Sequence, residues 1–328
     1  MTGREADLIA ALFAPLTRGD PGAFDLRDDA AHVRAGPGGL IVTVDQVIEG
    51  THFLPDDPPE AVAAKLVRRN LSDLVAKGAR PVAAFLTIAW PVARDRADLA
   101  AFAAALGRDL DWECGGCPLL GGDTSRTDGG LVATLTLMGG PGPGREGPVP
   151  RGGGRAGDVL MVTGDIGASW LGLQARLGRL GDVACPEAVA RSLTPRPPPL
   201  AMADVVARHA RAAIDVSDGL LADAAALGRE SGLGVAIDLD ATPLHPEVAA
   251  WLAAQADRTA ALLSLAGGGD DYQTLCAIDP QDARDAQSEA LAAGATLTAI
   301  GRLRTGTGLD LTVAGEPVAA PETLGWQF

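Results

Sequence analysis

Lysine, tyrosine and soft metal ligands are scarce in this chain. Only two lysines occur, Lys65 and Lys77, and neither stands in a G-x-x-x-x-G-K-[ST] loop, which excludes a P-loop enzyme. One tyrosine, six phenylalanines and five tryptophans are too few for aromatic platforms that stack nucleic-acid bases. A basic surface is missing as well. The formal net charge of −15 argues against nucleic-acid binding. It would also repel a phosphorylated substrate unless metal ions and local arginines screened the site.

No apolar run reaches the roughly 18 residues of a membrane span, so no membrane partner is expected. Glu5 and Asp7 interrupt what would otherwise be a signal segment. Thr2-x-x-Glu5 reads instead as a capping box ahead of Leu8, Ile9, Leu12, Phe13 and Leu16 at helical spacing. That predicts an amphipathic first helix in a cytoplasmic protein. Four cysteines make no secreted disulfide framework at this length. Cys114-Gly-Gly-Cys117 has a redox or zinc spacing, but no second pair or His-x-x-x-His follows, so the placement reads as incidental.

What the chain does hold is 47% hydrophobic residues over 328 positions, enough for two cored domains. It also holds a recurring apolar-then-acidic pattern. Ala213-Ile214-Asp215-Val216-Ser217-Asp218-Gly219-Leu220 reads as a strand ending near Asp215 and a helix starting near Gly219. Such a turn gathers two carboxylates and a hydroxyl beside a helix N-terminus. Two ionised Asp side chains there repel unless a cation lies between them, although Ser217 or Asp218 could equally serve as a helix cap. The pattern recurs at Asp28-Asp29, Val42-Thr43-Val44-Asp45, Leu71-Ser72-Asp73, Gly121-Gly122-Asp123-Thr124 and Gly268-Gly269-Asp270-Asp271-Tyr272. Six hard-oxygen nodes suit Mg²⁺ with phosphates completing its shell. Two bland alternatives stand beside this reading. His52 alone would serve as a structural histidine, and Asp73, four residues from both Arg69 and Lys77, as a surface ion pair.

In order, Asp28-Asp29-Ala30-Ala31 leads into a short strand and Gly36-Pro37-Gly38-Gly39 into a hairpin-type connection. A strand over 40–44 follows. Pro58-Pro59 introduces a helix closed by Gly78, then come a strand over 83–90 and a helix over about 95–113. Alternating Leu131, Ala133, Leu135 and Leu137 mark a further strand. The Gly- and Pro-rich stretch 139–157 places a domain boundary, giving domains 1–148 and 149–328. The stretch 158–169 reads as strand, glycine turn and helix, and later strands are expected over 235–239, 275–278, 296–301 and 309–313, alternating with helices. Two α/β units follow from that alternation.

Taken together, these motifs resemble the thiamine-monophosphate kinase family. They stand in the family's order across nearly the whole chain and include a Gly-Trp-Gln-Phe end at 325–328. The resemblance implies an α/β (α+β) fold of two domains, like aminoimidazole ribonucleotide synthetase, with the N-terminal sheet pairing across a homodimer. It implies ATP- and Mg²⁺-dependent phosphorylation of thiamine monophosphate to thiamine diphosphate by direct transfer. Mg²⁺ contacts carry over to Asp29, Thr43, Val44, Asp45, Asp73, Asp123, Asp215 and Asp218, several ions being implied. ATP carries over to Gly122, Asp123, Arg151 and Ser217, and thiamine monophosphate to His52, Asp270 and Trp326. Asp45, Asp73, Asp123 and Arg151 are the implied catalytic set.

Three departures stand out. Asp25-Leu26-Arg27 replaces a common Gly-x-Gly, Val44 replaces a hydroxyl residue and so can reach a metal only through its carbonyl, and Asp270 replaces Glu. A selenophosphate synthetase-like enzyme is the alternative within the superfamily, but it needs an early cysteine and none precedes Cys114. A non-catalytic Mg²⁺–nucleotide binder is the other.

Overall fold

The computed structural model describes residues 5–26, 30–36, 38–181 and 183–326. The chain divides into two compact units. The first takes Met1–Leu74, Ala79–Pro141 and Arg145–Gly147; the second takes Val75–Gly78, Gly142–Gly144 and Pro148–Phe328.

The first unit begins with α1 (Glu5–Leu8), a wider turn Ile9–Phe13 and a tighter one Ala14–Thr17. One continuous helix was the expectation, and Pro15 accounts only for its last turn. It offers no N–H to continue an α-helix and stands in the first turn of Ala14–Thr17, although Ala14 before it keeps helical dihedrals and the widening already begins at Ile9. Phe13 is buried all the same. Thr2 of the expected capping box lies outside the described residues. No strand forms over 30–36, and Pro37 of the expected hairpin connection is outside the described residues too. The elements that follow are β1 (Ile41–Ile48), α2 (Pro59–Ala76), β2 (Ala79–Pro91), α3 (Arg96–Trp112), β3 (Leu119–Thr127) and β4 (Val132–Pro141). Pro59 opens α2 at a position where its missing N–H is no loss, and Asp95 caps α3 by accepting the Asp98 N–H at 2.9 Å.

These strands form one sheet in the order β1-β4-β2-β3, with β2 and β3 parallel and the other pairs antiparallel. Ala133, Leu135 and Leu137 of β4 are buried in alternation, as a sheet with one covered face requires. Asp45 pairs with Leu135 and Thr43 with Leu137, so both stand on that covered face. Val42 and Val44, between and beside them, turn outward at 51% and 59% exposed.

The second unit contains β5 (Val159–Thr163), α4 (Ala168–Arg176), α5 (Pro186–Leu193), α6 (Met202–His209), β6 (Ala210–Val216) and α7 (Leu220–Glu230). It continues through β7 (Gly234–Asp238), α8 (Pro246–Ala253), α9 (Arg258–Ala266), β8 (Gln273–Ile278) and α10 (Ala283–Ala292). It ends with β9 (Leu297–Arg304), β10 (Leu309–Val313) and β11 (Glu316–Val318). Seven strands make one sheet, β11-β10-β7-β9-β5-β8-β6, in which only the β10–β7 pair is parallel. The helical alternation is therefore laid on a largely antiparallel sheet. Leu160, Ile214, Leu275 and Ile300 of the strands pack with Leu171, Leu220, Leu227 and Leu262 of the helices, all buried. Each fully buried side chain of this size contributes about 1.5–3 kcal/mol.

Candidate active site

In the first unit, the covered face of β1 meets one turn of α2. The Thr43 hydroxyl donates to Asp73 Oδ2. The Asp45 N–H donates to Asn70 Oδ1 at 3.1 Å, and Arg69 Nη2 lies 3.4 Å from Asp45 Oδ1. Asn70 is fully buried and spends its amide N–H on the Leu66 carbonyl at 2.9 Å. Its role escaped the sequence reading, though a polar residue on an otherwise apolar helix face was the available signal. Lys77, just past the end of α2, donates its ammonium to the Ala213 carbonyl at 2.6 Å. Thr43, Asp45 and Asp73 are thus brought together as an oxygen-rich group with one guanidinium beside it.

His52 sits in the turn after β1. Its Nδ1 accepts the Ile48 N–H at 3.1 Å, which leaves the ring proton on Nε2. Lys65, buried in α2, donates to the His52 carbonyl at 2.9 Å and holds that turn in place. This second fixing contact was not foreseen from sequence.

Gly122 and Asp123 lie within β3, at the sheet edge opposite β1. Both are strand residues. Together with Phe85, Leu86, Ala30 and Ala31 they line a cleft of about 200 Å³ in the first unit. Ala30 and Ala31 directly follow Asp29, which itself lies outside the described residues.

In the second unit, β6 ends at Val216 and α7 begins at Leu220, so Ser217, Asp218 and Gly219 form the turn between them. Asp215 is buried near the strand end, Ser217 is half-buried and Asp218 is exposed. Gly219 has φ 130°, and a Cβ there would sit 2.8 Å from the Gly267 carbonyl carbon, so no other residue fits without movement. The N–H groups of Ser217, Asp218 and Gly219 all donate to Asp223 Oδ2, at 3.0, 3.1 and 3.2 Å. Burial, and next the Asp218 charge, push the Asp223 carboxyl up to about 7, against the pull of those three N–H groups. Asp223 is not among the residues that the sequence singles out.

The segment 267–272 packs onto the same turn. Asp270 N–H donates to the Ser217 carbonyl at 2.8 Å and Tyr272 N–H to the Val216 carbonyl at 2.7 Å. Both residues adopt positive φ, 62° and 52°, held there by these bonds. The chain's one tyrosine donates its hydroxyl to Asp270 Oδ1 at 2.7 Å and so aims that carboxylate. Trp326 is 47% exposed and is tied in through its backbone. Asp215, Ser217, Asp218, Asp270 and Trp326 are therefore one neighbourhood. Arg151 is exposed and follows Pro150, whose carbonyl accepts the Ala213 N–H at 2.9 Å, so it runs alongside β6.

Among the described residues, no three His, Cys, Asp or Glu side chains converge as a self-sufficient metal cluster. The donors present are carboxylates, a hydroxyl and carbonyls, in small groups rather than a cage. That donor set fits Mg²⁺, which keeps waters and takes one or two carboxylates while phosphates fill the remaining positions.

Residues 27–140 match the AIR synthase related protein N-terminal domain, and residues 155–314 the C-terminal domain of the same description. A thiamine-monophosphate kinase of Caulobacter vibrioides is 43% identical over 98% of this chain and 90% of that one. The thiamine-monophosphate kinase structure from Stenotrophomonas maltophilia superposes with a TM-score of 0.77 at 29% identity, covering 89% of this chain and 90% of that one. AaThiL complexed with AMPPCP and TMP superposes with a TM-score of 0.73 at 27% identity, covering 98% and 93%. This chain belongs to the thiamine-monophosphate kinase family.

Proposed function

We propose that this chain transfers the γ-phosphoryl group of ATP to thiamine monophosphate, giving thiamine diphosphate and ADP. It is a thiamine-phosphate kinase, a phosphotransferase whose acceptor is itself a phosphate. The observation that carries the reading is the hydrogen-bonded joining of the Asp215–Gly219 turn to Asp270 and Trp326. The first suits a metal–nucleotide, and the second pair an aminopyrimidine and a thiazolium. The domains are taken as 1–148 and 149–328.

The reaction forms one bond, from an acceptor phosphate oxygen to the γ-phosphorus, and breaks one, to the β–γ bridging oxygen that leaves on ADP. A phosphate oxygen is already nucleophilic at neutral pH, so the protein needs no general base. Its work is positioning and charge stabilisation. Asp29, Thr43, Asp45, Asp73, Asp123, Asp215, Asp218 and the Val44 carbonyl would hold Mg²⁺. The ions supply the positive charge that lets two anionic phosphates approach. Gly122, through its backbone, and Ser217 orient the nucleotide, and Arg151 adds charge where the transferring group becomes more anionic. His52, whose Nδ1 accepts the Ile48 N–H, would contact thiamine monophosphate. Asp270, aimed by Tyr272, accepts from the exocyclic amine of the pyrimidine, and the Trp326 indole covers the cationic ring.

We take the chain to work as a homodimer in the cytoplasm. β1 ends the four-stranded sheet and presents Val42 and Val44 outward, as an edge meant for a second copy would. Sedimentation showing a single-chain mass at micromolar concentration would remove that part. All four cysteines are free, as a reducing compartment allows, and no described helix is long and apolar enough to cross a membrane. Steady-state kinetics test the two-substrate reading. Double-reciprocal lines should intersect, whereas parallel lines would point to a phosphoenzyme.

A further inference from the structure

We infer that Asp223 is a positioning residue for the metal–nucleotide side of the site. The inference rests on the assignment of Asp215, Ser217 and Asp218 to that side.

A glycine-containing turn between a strand and a helix exposes consecutive N–H groups at the positive end of the helix, a concavity that elsewhere binds phosphate directly. Here that concavity is already filled. The N-cap Gly219 has no side chain to cap with, and Asp223 reaches back from inside α7 so that one oxygen accepts three successive N–H groups. Asp223 is 5% exposed, so this is an internal contact and not a ligand site left open.

Two consequences follow. The turn cannot take phosphate through its own amides, because its amides are spent. Its remaining polar groups are the exposed Asp218 carboxylate, the half-buried Ser217 hydroxyl and the buried Asp215 carboxylate, with the carbonyls of Val216, Ser217 and Asp218 fixed by Tyr272, Asp270 and Trp326. A turn held in this way engages a nucleotide through a cation and not through bare N–H donors. Asp223 thereby sets both the geometry of the turn and its dependence on metal, without touching substrate.

Calorimetric binding of AMPPCP, measured in Mg²⁺ and again in EDTA, reads this out apart from turnover. Asp223→Ala should weaken binding in Mg²⁺ by roughly tenfold or more, the loss of several charge-assisted hydrogen bonds in a turn. It should also lower the ratio of affinities with and without Mg²⁺, since the freed N–H groups can now meet phosphate. Asp223→Asn keeps an acceptor oxygen and should hold the ratio within about threefold of wild type. Should the alanine variant fold poorly, Asp223→Ser is too short to reach all three amides and carries the same comparison. A lowered melting temperature with an unchanged ratio would make Asp223 structural only and overturn the inference, as would Asp223→Asn behaving like Asp223→Ala. Asp218→Asn separates the underlying assignment. If its ratio stays at the wild-type value, the reading of the turn as a metal site fails; if its ratio drops while that of Asp223→Ala does not, only the role of Asp223 fails.

Discussion

The backbone N–H of Trp326 donates to the Asp218 carbonyl at 2.9 Å, tying the last described residue of the chain to the turn between β6 and α7. Neighbouring Gly325 fits only because it is glycine: a Cβ there would stand 2.5 Å from the same carbonyl oxygen. A terminal segment would ordinarily fray. Here its backbone is held while its indole stays 47% exposed, an arrangement suited to covering a ligand and not to filling a core.

Trp326→Ala should therefore act on one substrate. Loss of a cation–π face is worth about 0.5–2 kcal/mol, so KM for thiamine monophosphate should rise several-fold to tens-fold. KM for ATP and the melting temperature should barely change. Equal weakening of both substrates with a lower melting temperature would mark Trp326 as a packing residue.

Asp73 accepts the Thr43 hydroxyl, and Asp73→Asn retains an acceptor there. Its stability should shift by under about 1 kcal/mol, since the hydrogen bond is kept and only its charge assistance is lost. Its kcat should fall by orders of magnitude if the lost charge served a metal. Near-normal turnover would return Asp73 to a structural role.

Cys114 and Cys117 are both buried and both unsuited to chemistry. Burial, then the neighbouring Cys117 and Asp109, raise the Cys114 thiol well above its usual range, and burial pushes Cys117 up to about 12. Native protein should resist alkylation of these two thiols and react only on unfolding. The double Cys114→Ala, Cys117→Ala variant should keep its turnover and Mg²⁺ dependence while losing some stability. Stoichiometric zinc in the purified protein, lost in that variant, would contradict this.

Asp271 is buried and accepts the Gly167 N–H at 2.8 Å at the start of α4. Burial raises its carboxyl to about 7, opposed by the Gly167 and Ser169 N–H groups, with Asp270 raising it further and Arg191 lowering it. A group with a raised folded pKa binds its proton more tightly when folded. Its contribution is full below the unfolded value near 4 and is lost as pH rises through about 7. Melting temperature should fall between pH 5 and 8, and Asp271→Asn should flatten that slope. An unchanged slope in the variant would show that Asp271 does not titrate there.

Much of this was readable in the sequence because it depends on local pattern. The Asp215–Gly219 turn was legible as a strand end, a glycine and a helical run, and β4 as alternating Leu131, Ala133, Leu135 and Leu137. What was not legible depends on contacts between distant segments. Nothing local announces that Asn70 reaches Asp45 or that Lys65 holds His52. Asp223 is only four to six residues from the N–H groups it accepts, but its fold-back needs the turn that Gly219 makes at φ 130°. Tyr272 aiming Asp270 is a two-residue relation, yet it needs a positive φ at both, which the segment 267–272 gains only by bonding to Val216 and Ser217.

The central claim is that both substrates are bound together and the phosphoryl group passes directly between them. A single turnover with γ-³²P-labelled ATP tests it most directly, with the label followed in thiamine diphosphate, in inorganic phosphate and on the protein. The account predicts that label leaves ATP only when thiamine monophosphate is present, appears in thiamine diphosphate in step with ADP, and never stays on the protein. Labelled protein after ATP alone, or ADP released equally without thiamine monophosphate, would contradict it.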